Sequence, residues 1–188
     1  PVTPIAPRRL GLRFVNETNM QLMKCEDESE IVSCLARAVR ELNYHAQTEV
    51  WLYDRGTRKL KSHLGTAFTS TPHVSVEAAF ATGETRRGTF GKAGSEVHYI
   101  CSPLSASRNI YGVCYMGSSQ RAFSRDEQDM LTAISFHTGS VLQALHAKGE
   151  EERTCERMIH ALTLTIDARD GMTAGHSGRV ARMHTVAL

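Results

Sequence analysis

Apolar residues in the first quarter of the chain recur at the spacing of an amphipathic helix. An acidic helix start at residues 27–30 precedes apolar positions that continue through Leu42, about four helical turns. Residues 16–26 predict a shorter helix before it. Residues 1–15 hold three of the five prolines and three arginines, which indicates a linker or the tail of a preceding domain.

The middle of the chain has the composition of β-strands. Residues 49–53 are apolar and rich in strand-forming side chains, and a turn leads to a return strand over 59–64, which predicts a hairpin. Residues 76–82 predict a short helix that ends at Gly83.

A second hairpin is predicted after a polar segment. Residues 84–96 are polar and contain three glycines, which favours a long loop. Strands are predicted over 97–102 and 111–117, with a turn at 105–110 between them.

The last third of the chain predicts one long helix. Ser124 and Glu127 have the spacing of a capping box, and no proline follows them. A helix over 125–168 would be about 65 Å long, more than one small domain can cover. The alternative is two helices broken near Gly149, but an interior glycine costs only about 1 kcal/mol, so the continuous helix is favoured.

Apolar residues in this helix are spaced alternately three and four apart, as in a coiled-coil seam. Lys148 and Glu152 interrupt the seam. Its positions are Leu131, Ile134, Thr138, Val141, Leu145, Lys148, Glu152, Cys155, Ile159, Leu162 and Ile166. We therefore expect a parallel homodimer through the terminal helices, weak or splayed at the two charged residues.

Composition narrows the class of protein. The 188 residues carry a net charge of +2, too small a bias to indicate nucleic acid, and no apolar run is long enough to span a membrane. Five cysteines without a CxxC motif fit a cytoplasmic protein.

The element order predicts an α+β fold, an antiparallel sheet with helices on one face. The chain starts without Met and stops within a helical pattern, so we expect a piece of a longer protein.

Three segments in a fixed order resemble a GAF domain. Residues 99–104 form a strand that ends in Pro-Leu, residues 111–118 contain a Gly-Val strand, and residues 123–127 form a Phe-Ser-x-x-Glu helix start. The resemblance covers about residues 16–147. It implies a sensory module with an antiparallel sheet of about six strands, flanking helices and a small-molecule pocket. A PAS domain is the alternative fold.

The resemblance also implies where a ligand would bind, between the sheet and the covering segment, here about residues 72–98. The candidate pocket residues are aromatic or histidine side chains: Trp51, Tyr53, His73, Phe80, Phe90 and His98. The alternative is that the aromatic rings belong only to the core. The ligand stays unknown, because neither the cyclic-nucleotide motif nor the bilin-binding cysteine of some family members is recognisable.

A second resemblance lies near the C-terminal end. The R-D-x-x-T-x-x-H-S-x-R-V opening of HD-GYP domains, metal-dependent cyclic di-GMP phosphodiesterases, is matched at Arg169, Asp170, Thr173, His176, Ser177, Arg179 and Val180. The resemblance implies that residues 168–188 begin such a domain and that residues 148–167 are a connecting helix. The resemblance implies that His176 is a metal ligand in the parent protein. It implies a site of two divalent ions, iron or manganese, because Met172 stands where family members with three metals have a glutamate.

One histidine cannot hold a catalytic metal, so we expect this chain itself to be inactive and without a cofactor, and the parent protein to be a hydrolase. A GAF-type redox enzyme is a weaker alternative. Cys101 and Cys114 lie on strands predicted to pair, but residues 84–96 hold no cysteine and buried thiols usually serve packing.

The predicted function is a ligand-binding sensory module that dimerises and controls a cyclic di-GMP phosphodiesterase. The alternative is a ligand-free structural domain that only dimerises the enzyme. An open cavity with polar groups favours the sensor, and a filled interior favours the structural role.

Overall fold

The computed structural model describes residues 7–64, 73–92 and 94–169. The chain divides into two compact units, Pro1–Ala144 and Leu145–Leu188. In chain order the elements are α1 (Pro7–Leu22), α2 (Glu28–Leu42), β1 (Gln47–Asp54), β2 (Lys59–Leu64), α3 (Val74–Thr82), β3 (Arg86–Phe90), β4 (Val97–Ala106), β5 (Asn109–Ser118) and α4 (Arg125–Arg169).

The strands form one antiparallel sheet in the order β2-β1-β5-β4-β3. The α+β prediction is confirmed, with five strands among the described residues where the resemblance implies about six. The predicted hairpin of β1 and β2 is present, and Tyr53 pairs with Leu60 in it.

Helix α2 begins where its sequence predicts. The carboxylate of Asp27 accepts a hydrogen bond from the backbone N–H of Glu30 over 2.8 Å, which caps the first turn. The buried stripe of α2 packs against β1 and β2. Its largest fully buried side chains are Ile31, Leu35 and Val39.

Helix α1 starts earlier than the sequence predicts. It begins at Pro7, inside the segment predicted as a linker, because proline is compatible with the first turn of a helix. Leu22 is fully buried, and the Gln21 side chain accepts a hydrogen bond from Arg37 on α2 over 2.8 Å. The C-terminal end of α1 is therefore packed on the domain.

Helices cover both faces of the sheet, not one face as predicted. Helix α3 packs on β3, β4 and β5, and its Ser75 contacts Cys101. The next residue of β4, Ser102, projects to the other face, where the Thr85 hydroxyl joins it to Thr132 of α4. The order of elements along the chain could not show this, because a short connection can lead to either face. Gly83, in the left-handed region with φ of 69°, ends α3 as predicted.

The predicted loop over residues 84–96 contains a strand instead. β3 is an edge strand that pairs with β4, and four of its five residues are exposed. Only its backbone is needed for pairing, so a polar sequence with a glycine is compatible with it. The same pairing makes β4 longer than predicted, and the turn to β5 is confined to Ser107 and Arg108.

Helix α4 is continuous through Gly149, as predicted. Its capping box is present: the Ser124 hydroxyl accepts from the Glu127 N–H over 3.1 Å, and the Glu127 carboxylate accepts from the Ser124 N–H over 2.8 Å. About one third of the way along, α4 passes so close to β4 that a Cβ at Gly139 would lie 2.4 Å from the Ser105 carbonyl oxygen.

The first part of the predicted seam faces the domain itself. Leu131, Ile134 and Thr138 are fully buried in this chain. They cannot also contact a second copy, so a dimer seam would have to begin after them.

No helix among the described residues has the length and apolar character needed to cross a bilayer.

Candidate functional site

The face of the sheet under α3 has an aromatic core. Trp51 on β1 is buried against Val76 and Ala79 of α3 and against Val113 on β5. Only 1% of Trp51 is exposed, so it supports the site from within the core. Beside it, the rings of Tyr53 and Phe80 lie 4.9 Å apart.

One row of side chains across the strands on this face contains polar and ionisable groups. Glu49 on β1 lies opposite Tyr115 on β5, which lies opposite Cys101 on β4, which lies opposite Arg86 on β3. Residues directly opposite each other in antiparallel strands project to the same side. The row therefore extends from a half-buried carboxylate at Glu49 to an exposed guanidinium at the sheet edge.

Four aromatic rings, which we call the ring cluster, continue from this row: His73, Phe90, Tyr99 and Tyr115. Tyr115 and Tyr99 are stacked, with centroids 6.3 Å apart and planes at 16°. Tyr99 lies 5.9 Å from His73 and 6.0 Å from Phe90, and His73 stacks on Phe90 at 4.5 Å. Phe90 is 38% exposed, and His73 and Tyr99 are half-buried, so the cluster is open to solvent on one side.

Two glycines leave room for the tyrosine rings. A Cβ at Gly88 would lie 2.6 Å from the Tyr99 hydroxyl oxygen, and a Cβ at Gly117 would lie 2.6 Å from the Tyr115 hydroxyl oxygen. Both rings thus lie along the sheet over positions without a side chain. The glycines allow this flat arrangement.

The position of His73 is set by helix α3. Its Nδ1 accepts a hydrogen bond from the Ser75 N–H over 3.2 Å, so His73 caps the helix. The Ser75 hydroxyl lies 2.6 Å from the same nitrogen and 3.3 Å from the Cys101 sulfur. This chain of contacts ties the ring cluster to the sheet below.

Glu49 gives the site a negative charge. Its carboxylate accepts a hydrogen bond from the indole N–H of Trp51 over 3.0 Å. Burial raises the pKa of the Tyr115 phenol, and the nearby Cys101 and Glu49 raise it further. Burial likewise raises the pKa of the Cys101 thiol to about 12, with a smaller contribution from Glu49. Both groups are therefore neutral at physiological pH.

The structure brings most of the predicted pocket residues to this face. Trp51, Tyr53, His73, Phe80 and Phe90 lie on it. His98 does not: it alternates with Tyr99 along β4 and lies 3.0 Å from the Thr89 hydroxyl.

Glu49, Tyr99 and Tyr115 were missed by sequence reasoning. The period of two along each strand is the signal that could have found them, since positions 49 and 51 share a face.

The two strand cysteines do not form a pair. Cys101 lies opposite Tyr115, and Cys114 lies opposite Ser102, so the two thiols project from opposite faces of the sheet. Both are buried free thiols, and burial raises the pKa of Cys114 as well. They pack as small apolar side chains.

Helix α4 is joined by hydrogen bonds to the edge strand that carries Phe90. The Thr85 hydroxyl, next to β3, lies 3.2 Å from the Thr132 hydroxyl of α4 and 3.3 Å from that of Ser102. Arg87 on β3 donates to the Gln128 side chain of α4 over 3.2 Å. β3 therefore contacts the ring cluster on one face and α4 on the other.

His176 lies outside the described residues, as does the rest of the HD-GYP-like segment from residue 170 onward. Within the described ranges, no three His, Cys, Asp or Glu side chains are grouped as metal ligands would be.

No protein-family model matches the sequence, and no curated protein resembles it in sequence. Solved structures do resemble the fold. A GAF domain of a phosphoenolpyruvate-protein phosphotransferase from Coxiella burnetii superposes with a TM-score of 0.63 at 10% identity, covering 77% of this chain and 99% of that one. The GAF domain of the Acinetobacter phosphoenolpyruvate-protein phosphotransferase gives 0.61 at 14% identity, covering 75% and 98%.

A GAF domain/HD domain protein from Geobacter sulfurreducens is a third match. It superposes with a TM-score of 0.52 at 14% identity and covers 65% of this chain and 95% of that one. At such low identity the likeness shows the fold alone. The chain has a GAF-like fold.

Proposed function

We propose that this chain is a sensory module that binds a small molecule over the ring cluster and transmits binding through α4. The observation that supports this most directly is the combination of open aromatic rings with the half-buried carboxylate of Glu49. Pockets for small molecules are typically lined by apolar rings with a few polar groups that fix orientation.

The edge strand β3 provides a physical route from the site to α4. A ligand that displaces Phe90 would move a strand whose other face is hydrogen-bonded to α4 through Thr85 and Arg87. A ligand shifts such an equilibrium only by its difference in affinity for the two arrangements. The bonds to Thr132 and Gln128 are the contacts that would differ between them.

We further propose that α4 dimerises the protein. Past Leu145, the helix exposes Ile159 and Leu162 at seam spacing, with 51% and 64% of each residue accessible. Covering a large apolar side chain of this kind is worth roughly 1.5–3 kcal/mol. A second copy of the same helix would provide that cover.

The proposed output is an HD-GYP cyclic di-GMP phosphodiesterase in the parent protein. Support comes from the seven matching residues between Arg169 and Val180 and from a GAF-like neighbour that is itself named a GAF domain/HD domain protein. His176 would help hold two divalent ions, iron or manganese. When bound, such ions activate water for phosphodiester hydrolysis.

A ligand-free dimerisation domain is the second candidate. The observation that favours it is the complete burial of Trp51, with Tyr115 only 6% exposed. In this alternative the aromatic rings only pack in the core, and the only function of the domain is to dimerise the parent protein through α4.

Native mass spectrometry of the purified chain separates the two candidates. The sensor account predicts a retained small molecule in the unmodified protein and its loss in Tyr99→Ala. Tyr44→Ala is the matched control, because Tyr44 is 85% exposed at the end of α2 and should leave retention unchanged. A dimer without any retained molecule, in both the unmodified protein and the control, would favour the structural role.

The output is tested in the longer parent protein by cyclic di-GMP hydrolysis with added manganese or iron. His176→Ala should abolish turnover, while His160→Ala, an exposed histidine of α4, should retain it. Equal turnover in the two variants would refute the assignment of His176 as a metal ligand.

A further inference from the structure

Two of the five cysteines, Cys25 and Cys34, lie side by side where helix α1 leads into α2. Cys25 is in the turn after α1, where its N–H bonds to the Leu22 carbonyl over 3.1 Å, and Cys34 is on the buried face of α2. Burial raises the pKa of the Cys25 thiol, and the Cys34 thiol, its hydrogen-bond neighbour, raises it further. The fold therefore brings together the sulfurs of these two residues.

Polar contacts around the pair position both sulfurs. The Cys25 thiol donates to the Gln21 carbonyl over 3.5 Å, and the Gln21 side chain accepts a hydrogen bond from Arg37 over 2.8 Å. The same Arg37 nitrogen donates to the Cys34 sulfur over 3.9 Å. Gln21 on α1 and Arg37 on α2 thus hold the two thiols between their helices.

The two thiols differ in their access to solvent. Cys25 is half-buried, whereas Cys34 is only 5% exposed. A small molecule in solution can reach Cys25, and Cys34 needs to reach only the sulfur of Cys25. This is the arrangement that thiol–disulfide exchange requires, because the thiol that reacts first must be accessible and the second thiol must lie beside it.

We propose that Cys25 and Cys34 are a reversible modification site, which low-molecular-weight disulfides oxidise to an internal disulfide. The Cys25 thiolate attacks one sulfur of the small disulfide, forms a mixed disulfide and releases one small thiolate. The Cys34 thiolate then attacks the Cys25 sulfur, forms the bond between the two cysteines and releases the second small thiolate. The two protein sulfurs lose two electrons, the small disulfide gains them, and the two thiol protons pass to the released thiolates.

The surroundings of Cys25 decide which reagent suits the site. The charge of Glu30 adds to the effects of burial and Cys34 on the pKa of Cys25, and Glu28 lies in the same acidic first turn of α2. These carboxylates repel an anionic disulfide, so a neutral one is expected to react more readily. The thiolate is the attacking form, so the raised pKa slows the first step without changing the course of the exchange.

The site is separate from the ring cluster and does not depend on ligand binding there. The disulfide would fasten the turn after α1 to α2, and α1 in turn touches α4, since a Cβ at Gly11 would lie 3.0 Å from the Met130 sulfur. In a reducing compartment a disulfide of this kind is transient and reports the redox state.

Bis(2-hydroxyethyl) disulfide, a neutral reagent, tests the proposal on the purified chain. After equilibration and acid quenching, trypsin releases both cysteines in one peptide, residues 25–37. This peptide should be lighter by two hydrogen atoms and carry no hydroxyethylthio adduct, and dithiothreitol should restore its mass. Cys155 is exposed and should lose its free thiol in the same sample, which shows that the reagent acts.

Two comparisons show what the fold contributes. The ratio of internal disulfide to mixed disulfide should be at least about tenfold higher in the native chain than in guanidinium, because the fold raises the effective concentration of one thiol near the other. The double variant Cys34→Ser with Ser33→Cys moves the second thiol to an exposed position of α2. In this variant Cys25 should keep the adduct.

Free thiols or two adducts on the peptide of residues 25–37, in a sample in which Cys155 has reacted, would overturn the proposal. An equal ratio in guanidinium, or as much internal disulfide in the double variant as in the unmodified chain, would overturn it as well. Either result would mean that the fold does not place these two sulfurs for reaction.

Discussion

The hydroxyl oxygens of Thr85 and Thr132 lie 3.2 Å apart and join the edge strand of the sheet to the long C-terminal helix. Thr132 also donates to the Gln128 carbonyl in its own helix over 2.8 Å. The Thr85–Thr132 contact and the Arg87–Gln128 bond are the direct polar links between the edge-strand segment, residues 85–90, and α4 in the described residues. The account of signal transmission depends on them.

Replacing Thr132 with valine removes the bond to Thr85 while keeping the side-chain shape. We expect a loss of about 1 kcal/mol in the free energy of unfolding, measured by urea denaturation. Thr165→Val is the matched control, because among the described contacts the Thr165 hydroxyl bonds only to the Ala161 carbonyl of its own turn. If both variants lose the same stability, the Thr85 bond contributes nothing.

Two glycines of α4 predict opposite effects of the same substitution. Alanine at Gly139 would place a Cβ within 2.5 Å of the Ser105 backbone, so the helix must move away from the sheet. We expect a loss of about 1–3 kcal/mol. Alanine at Gly149 meets nothing within 4 Å and should stabilise the helix by about 1 kcal/mol or less.

Chemical denaturation measures the change in the free energy of unfolding in Gly139→Ala. Amide hydrogen exchange around residue 149 measures the stabilisation of the helix in Gly149→Ala. Faster exchange in Gly149→Ala would contradict the continuous helix.

Glu127 predicts an acid sensitivity of the fold. Burial raises its pKa, but hydrogen bonds from Arg121 and Ser124 outweigh burial and lower the pKa to about 2, from an ordinary value of 4.5. The folded pKa lies below the unfolded one, so the charge stabilises the fold above about pH 4.5 and this contribution is lost as pH falls toward 2.

The unmodified protein should therefore lose more stability between about pH 5 and pH 2 than Glu127→Gln does. Thermal melts across this range give the comparison, with Asp126→Asn as the control at an exposed neighbour. Parallel pH profiles for the unmodified protein and Glu127→Gln would show that the carboxylate is not held by its donors.

The dimer proposal predicts different effects for two leucines of α4. Leu162 lies on the seam, and Leu164 lies off it, although 64% and 56% of their surfaces are exposed. Light scattering should return about twice 20.8 kDa for the unmodified chain and for Leu164→Glu, and a shift toward the monomer for Leu162→Glu. A monomer in the unmodified chain would refute the dimer.

The elements predicted correctly have strong local signals. The capping box of Ser124 and Glu127 fixes the start of α4, and Asp27 fixes the start of α2, because side chains near in sequence satisfy the first backbone N–H groups. By contrast, β3 was missed because an edge strand is held by backbone pairing with β4. Its exposed polar residues resemble those of a loop.

The candidate site was predicted in part for a similar reason. Aromatic side chains such as Phe80 and Phe90 attract notice by type, whereas Glu49 matters only because β1 pairs with β5 and places it beside Tyr115. That pairing joins residues far apart in the chain. His98 was included for its type, but alternation along β4 places it on the other face.

Hydrogen–deuterium exchange tests the central claim, that a molecule bound over the ring cluster acts on α4. The chain as purified is compared with the chain unfolded in guanidinium and refolded to remove bound molecules. The account predicts faster exchange after refolding in β3 and in residues 125–140 of α4, with α2 unchanged as the internal control. Identical exchange of α4 in the two samples would contradict it.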